Sequence, residues 1–258
     1  ILIEVSEALG SAPREAGTRM LVSAAECAGT IGGGHLELKA IEAARRLLGG
    51  ADEPREPHFP LGPALGQCCG GAVTLRLTPL ADDDPAAWEA PPLRFHLQLY
   101  GAGHVGRAIV RLLEGLPCRV QWIDERESEF PGAPSAPHIE RLCVEPVEAE
   151  VRQAPPGAFY LVLTHSHELD QRITEAILRR GDFGYLGLIG SATKRAKFLR
   201  RYEERGVPGE ALARLTCPIG VPGIAGKEPA VIAVGVVAQL LQACASAFSA
   251  ATSSTRTV

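Results

Sequence analysis

The sequence lacks a surplus of either charge. Its 26 basic and 30 acidic residues among 258 leave a formal net charge of −4, which excludes a general pull toward nucleic acid or an anionic membrane. It lacks internal repeats and low-complexity segments, which excludes solenoids and biased tails. It lacks the spaced cysteine pairs of a classical zinc site. The seven cysteines are an odd number and scattered: Cys27, Cys68, Cys69, Cys118, Cys143, Cys217 and Cys244. No secretory leader is evident, so reduced thiols in a cytoplasmic protein are expected. The numbered chain opens inside an apolar run at Ile1, and a natural start upstream of it is expected.

An uninterrupted membrane span is also lacking. The segment "PAVIAVGVVAQLLQACASAFSA", from Pro229, has the length of one. Gln239 and Gln242 interrupt it, it has no basic flank, and Ala and Gly outnumber Leu. These features predict a buried terminal helix, with Pro229 in its first turn. Its small residues would allow close packing within a subunit or across a homodimer.

What is present is a chain 46% hydrophobic, enough for a sizeable core. Periodicity stops at "ADDDPAAWEAPPLR", Ala81 to Arg94, where Pro, Asp and Ala crowd. This reads as a linker between a domain at residues 1–90 and one at 91–258. In the second, apolar strands alternate with helices: "RFHLQLY", "HVGRAIVRLLEGL", "CRVQWID", "HIERLCV", "AFYLVLTH", "ELDQRITEAILRRG", "FGYLGLIG" and "SATKRAKFLRRYEERG". That alternation predicts an α/β fold with a parallel sheet covered on both faces. The first domain reads as a smaller α/β unit. "ILIEVSEAL", "TRMLVSA" and "AVTLRLTPL" are its strands, and "HLELKAIEAARRLL" is an amphipathic helix burying Leu36, Ala40, Ile41, Ala44 and Leu48.

Five stretches carry chemistry. In "LQLYGAGHVGRAIV", Gly101, Gly103 and Gly106 form G-x-G-x-x-G between a strand and a helix that opens at His104, and Asp124 ends the following strand. This is the dinucleotide-binding arrangement: a tight turn, close approach of a pyrophosphate, close helix packing, and an acid for a ribose hydroxyl. A glycine turn kept for packing alone would look the same. In "THSHELD", His165, His167 and Asp170 follow a parallel strand. The pattern resembles metallo-β-lactamase-like hydrolases, but Leu169 stands where those carry an Asp ligand. A capping loop, a ligand-contacting loop and a metal site all remain open. In "LIGSATKRAKF", Ser191 or Thr193 can cap a helix whose first turns hold Lys194, Arg195 and Lys197. Cations there oppose the helix dipole, a cost that an anion would offset. Gly32, Gly33 and Gly34 run into the first helix and would expose amides to an oxyanion, with Arg14 as a fork of donors; two structural turns would serve equally. Finally, "GQCCGG" sets Cys68 beside Cys69 on bare backbone. A disulfide between neighbours is strained. Inert burial and a thiophilic metal site remain open.

Taken together, "GSAPREAG", "GTIGGGHLE", "GQCCGG", "YGAGHVGRA", "THSHELD", "GLIGSATKRAKF" and "CPIGVPGIAGKEPAVIA" resemble the xanthine dehydrogenase accessory protein family, XdhC-like and related to CoxI. The resemblance runs over nearly the whole chain. It implies a small N-terminal domain and a C-terminal Rossmann-like domain. It further implies an accessory protein that binds molybdenum cofactor, keeps it ready for sulfuration by a cysteine desulfurase, and assists insertion into a xanthine dehydrogenase-type molybdoenzyme. Cys68 and Cys69 would then lie near the molybdenum. The glycine loops would hold the pterin phosphate, and Arg14 with the cations after Gly190 would offset the cofactor's charge. A nucleotide in the Rossmann crevice is compatible. A nicotinamide-dependent oxidoreductase and a metal-dependent hydrolase using His165, His167 and Asp170 are the competing expectations.

Overall fold

The structure, a computed structural model, describes residues 1–61, 71–80, 93–132 and 136–254, with side chains described to residue 246. The linker expected at Ala81–Arg94 lies largely outside these residues. The chain divides into two compact units, Ile1–Ala90 and Pro91–Val258.

The first unit begins with alternating apolar residues, which form β1 (Leu2–Leu9), then β2 (Arg19–Val22) and β3 (Cys27–Gly29). Helix α1 (Gly34–Leu48) follows, then β4 (His58–Pro60) and β5 (Ala72–Thr78). The strands make one antiparallel sheet of order β3-β2-β1-β5-β4. In register, Ile3 faces Met20 and Leu77, and Val5 faces Leu75. All five of these side chains are buried, together with Leu36, Ala40, Ala43 and Ala44 of α1. The buried stripe of α1 thus departs from the expected one. Ala43 joins it, whereas Leu48 is exposed because it falls at the last turn, past the edge of the packed face.

The second unit runs β6 (His96–Tyr100), α2 (His104–Leu113), β7 (Arg119–Asp124), β8 (Ile139–Cys143), β9 (Phe159–Val162), α3 (His167–Arg180), β10 (Tyr185–Leu188), α4 (Ala192–Glu204), α5 (Gly209–Ala213), β11 (Leu215–Thr216) and α6 (Pro229–Ser254). Its six strands are all parallel, in the order β11-β10-β9-β6-β7-β8. Apolar strands permit this because both faces are covered. Leu97, Leu99, Val120, Trp122 and Leu161 pack on one side against Ile109 and Leu113 of α2 and Ala233, Val236 and Leu240 of α6. Tyr100, Ile123, Val162, Leu186 and Leu188 pack on the other against Ile173 and Ile177 of α3 and Phe198 and Tyr202 of α4. Gln98 is buried on that second face but satisfied, since its amide nitrogen donates to Gln121 Oε1 and the Glu150 carbonyl and its oxygen accepts from the Tyr100 hydroxyl.

Over its described side chains helix α6 buries one face, and Val234 is exposed on another. Residues Pro229–Ser246 are long and apolar enough to cross a membrane by length and composition, with a mean hydropathy of 1.7.

The strand order positions the site. From β6 the chain winds outward through β7 and β8, then returns to the other side of β6 for β9, β10 and β11. The reversal opens a crevice at the carboxyl ends of β6 and β9, where open α/β sheets bind ligands.

Candidate functional site

At the first of these strand ends, the glycine turn is shaped by contact and by backbone conformation. Gly101 has φ +120°, and a Cβ on it would stand 2.3 Å from the Leu163 carbonyl oxygen. A Cβ on Gly106 would stand 2.1 Å from the Gly101 oxygen. Gly103 differs, because a Cβ there meets nothing within 4 Å. Packing therefore requires two of the three glycines, and only the middle one faces open space. His104 is exposed at the start of α2, which has no side-chain cap.

Asp124 does not wait for a ribose. It is 4% exposed. Its Oδ2 accepts from the Ala102 amide at 2.7 Å and from Arg126 Nη2 at 3.0 Å, and its Oδ1 accepts from the Arg126 amide and Nε. Burial alone would raise this carboxyl; the Arg126 guanidinium and the two amides more than offset it and hold it below the usual carboxylate range. The expected ribose acceptor is thus a buried brace for the turn, already used by the chain.

The second strand end repeats the device. Asp170, on the first turn of α3, is 1% exposed. Its Oδ1 accepts from the Thr164 amide at 2.9 Å and the Thr164 hydroxyl at 2.7 Å. Its Oδ2 accepts from Lys194 Nζ at 2.6 Å. Lys194 also donates to the Ile189 carbonyl at 2.9 Å, and its ammonium lies 5.4 Å from the Phe198 ring centroid. A Cβ on Gly190 would meet Lys194 Cδ at 2.6 Å, so the bare backbone lets the lysine lie down. Lys194, expected to face a ligand as a cation, is instead the counter-charge of a buried aspartate.

Around this pair lies a cavity of about 870 Å³ between the N-terminal turns of α3 and α4. Both helices start on serine caps: Ser166 accepts from the Leu169 amide and Ser191 from the Lys194 amide. His165, His167 and Ser191 all line the cavity, as do Lys197, Arg201 and Gln171. Arg201 Nη1 donates to Gln171 Oε1 at 2.7 Å. His165 reaches toward Glu125 at 3.6 Å and also borders a narrower cleft with Gly101, Asp124 and Thr164 at the strand-order reversal. Among the described residues no group of three His, Cys, Asp or Glu side chains could hold a metal. The hydrolase expectation fails at Asp170, whose oxygens Thr164 and Lys194 consume.

In the first unit, Gly32, Gly33 and Gly34 have φ of +124°, +73° and +64°, which explains three glycines in a row. Their environment differs from the expected phosphate cradle. Glu37 Oε2 accepts from the Thr30 hydroxyl and from the Ile31 and Gly33 amides, the two amides at 3.0 Å. Burial pushes this carboxyl up, but these donors, with exposed Arg14 adding a smaller attraction, leave it below the usual range. The chain's own carboxylate occupies the Ile31 and Gly33 amides, and the Thr30 hydroxyl accepts from that of Gly32. Cys68 and Cys69 lie outside the described residues.

Glu37, Thr164, Gln171 and Arg201 join these sites without standing out in the sequence. The G-x-x-x-E spacing from the Gly33 cap into the first turn of α1 is the available signal for Glu37. The Gln171–Arg201 pair had no local signal.

A dinucleotide-type parallel sheet whose acids serve as internal braces, with cations at its β9/β10 mouth, defines a Rossmann-type domain. The family pattern described as the XdhC Rossmann domain matches residues 97–240, and the XdhC and CoxI family pattern matches residues 1–56. The chain belongs to the XdhC and CoxI family. It is 30% identical to the uncharacterised protein YqeB of Escherichia coli K12 over 93% of its own length, and it spans 43% of the length of that relative. In fold it is similar to a Bacillus halodurans protein whose crystal structure is described as a xanthine dehydrogenase, with a TM-score of 0.74 at 19% identity, covering 95% of this chain and 91% of that one.

Proposed function

We propose that the chain is an accessory protein that holds molybdenum cofactor as cargo, for sulfuration by a cysteine desulfurase and insertion into a xanthine dehydrogenase-type enzyme. Family membership supports the accessory role. The observation that carries the reading is the charge of the β9/β10 mouth. Lys194 is cancelled by Asp170 and Arg205 by Glu175, whereas Lys197 and Arg201 have no salt-bridge partner among the described residues. That donor set fits a cargo bearing phosphate. The cargo would supply the redox-active molybdenum used by the client enzyme; this chain would bind the anionic end, shield it and release it. Cys68 and Cys69 are proposed as its thiol ligands, and a cytoplasmic homodimer as the working form.

The test is purification from cells that make the cofactor, followed by measurement of bound molybdopterin. Retention near one per chain, reduced in a Cys68→Ser/Cys69→Ser variant, supports the reading. Absence of molybdopterin from the wild-type chain removes it; unchanged delivery by the double variant removes only the thiols. A second reading, a nucleotide at the α2 N-terminus, draws on the open space at Gly103. Titration with NAD and NADP tests it; tight binding of either would favour an oxidoreductase.

A further inference from the structure

Gln171 sits one helical turn after His167 on α3, and Arg201 one turn after Lys197 on α4, so each pair shares a face. All four line the same cavity. Gln171 is only 5% exposed. Its oxygen is committed to Arg201 Nη1 at 2.7 Å, and a guanidinium can only donate, so the amide orientation is determined. The other end of that amide, Nε2, is buried and has no hydrogen-bond partner. Of the buried side-chain atoms without a partner among the described residues, it is the one that belongs to a residue lining the cavity. A buried N–H without an acceptor is costly, and native chains seldom keep one without a use.

Its surroundings select the acceptor. A neutral carbonyl would not need the nearby cations. Lys197 and Arg201 bring positive charge that enters no salt bridge among the described residues, and the N-terminal turns of α3 and α4 add their dipoles. Glu168 is the opposing charge on the rim. We infer that Gln171 Nε2, Arg201 and Lys197 form a phosphate subsite at the β9/β10 mouth. It is separate from the pyrophosphate position that the Gly101–Gly106 turn implies at α2. Gln171 reads the oxyanion with a fixed donor, Arg201 both orients that donor and supplies charge, and Lys197 supplies charge from the rim. Lys194 takes no part, because Asp170 holds it. The inference rests on the proposed function only in taking this cavity as the ligand site; the phosphate of a pterin cofactor and that of a nucleotide are the same chemistry here.

The probe is inorganic pyrophosphate, titrated by calorimetry into the full chain at low and high salt. Wild type should bind it, more weakly as salt rises. Gln171→Glu keeps an acceptor for Arg201, hence the local packing, but replaces the donor with a negative charge; binding should fall about tenfold or more. Gln171→Met tests the loss of the donor without added charge and should also weaken binding. Lys197→Gln should weaken binding and flatten the salt dependence. ADP and molybdopterin run as parallel arms to show which source of phosphate gains most over pyrophosphate. No pyrophosphate binding by wild type, or wild-type affinity in folded Gln171→Glu and Gln171→Met, overturns the subsite. If molybdopterin is retained while pyrophosphate fails, the subsite falls and the proposed function stands. If pyrophosphate binds and Gln171→Glu abolishes it while no molybdopterin is retained, the subsite stands and the cargo assignment falls.

Discussion

The β6–β7 end of the sheet and its β9–β10 end are built on the same device and finished differently. At each, a buried aspartate accepts from the first amide beyond a strand or close to it: Asp124 from Ala102, Asp170 from Thr164. At each, a basic side chain neutralises it: Arg126 at 3.0 Å, Lys194 at 2.6 Å. The β6–β7 end is then complete, with Arg126 also tied to Glu129 and Glu129 to Arg107. At the β9–β10 end, among the described residues, a donor remains without an acceptor, beside two cations without a salt-bridge partner. The lesson is that an acid after a parallel strand is no ligand contact by position alone. What points to a ligand is the group left over once the internal partners are counted.

The comparison breaks most visibly at Asp170. Removing it strands the Lys194 ammonium in a poorly solvated place. Asp170→Ala should cost about 3–5 kcal/mol of unfolding free energy, read by urea denaturation. Asp170→Ala combined with Lys194→Met should recover most of that loss, because no charge is then left unpaired. A single-variant loss below about 1 kcal/mol would mean that the pair is solvated and the brace unimportant.

The glycine turn sharpens the same comparison at the completed end. Gly106→Ala places a methyl against the rigid Gly101 carbonyl and should cost about 1–3 kcal/mol or more. Gly103→Ala meets open space at φ −68°, so stability should stay within about 0.5 kcal/mol or improve slightly. If Gly103→Ala also leaves all nucleotide and pyrophosphate binding unchanged, the middle glycine has no ligand role.

Asp124→Asn comes next, at about 1–3 kcal/mol, since it weakens bonds to a half-buried arginine. Its carboxyl is held below the ordinary value in the folded chain. Its contribution is therefore complete above the unfolded value, about pH 4, and is lost as pH falls through the folded value. The variant should show a shallower loss of stability below pH 4 than wild type.

Local period made the sheet legible, and the partnerships across it were hidden. Apolar strands such as "FYLV" and "YLGL" and the alternation in "LIEVSEAL" lead directly to β9, β10 and β1. Elements without such a pattern escaped: β3 is exposed throughout, β11 has two residues, and α5 has five. At the site, the cap at Ser191, a capping role for the THSHELD loop and the glycine turn were readable because their partners lie within a few residues. Asp170 with Lys194 and Gln171 with Arg201 are 24 and 30 residues apart. Only the packing of α3 against α4 on β9 and β10 brings them together, and no local signal announces it.

The smallest effect carries the comparison outside the parallel sheet, to Glu37. There too a carboxylate fills a backbone donor that the sequence suggested for a ligand, the Gly33 amide, together with that of Ile31, but without a buried cation; Arg14 is exposed and acts through space. Glu37→Gln keeps a carbonyl oxygen able to accept from one or two of Thr30, Ile31 and Gly33 and loses only the charge. The cost should be about 0.5–1 kcal/mol at neutral pH. Because the carboxyl is depressed in the folded chain, the wild-type advantage should be complete above the usual glutamate value of about 4.3 and vanish as pH falls through the folded value. Urea denaturation of both proteins at pH 7 and pH 3.5 measures this. An advantage that persists undiminished at the lower pH would mean that shape, not charge, holds the turn. A gain in pyrophosphate affinity on removing the carboxylate would mean that Glu37 is a gate over a second anion site rather than the permanent occupant of its amides.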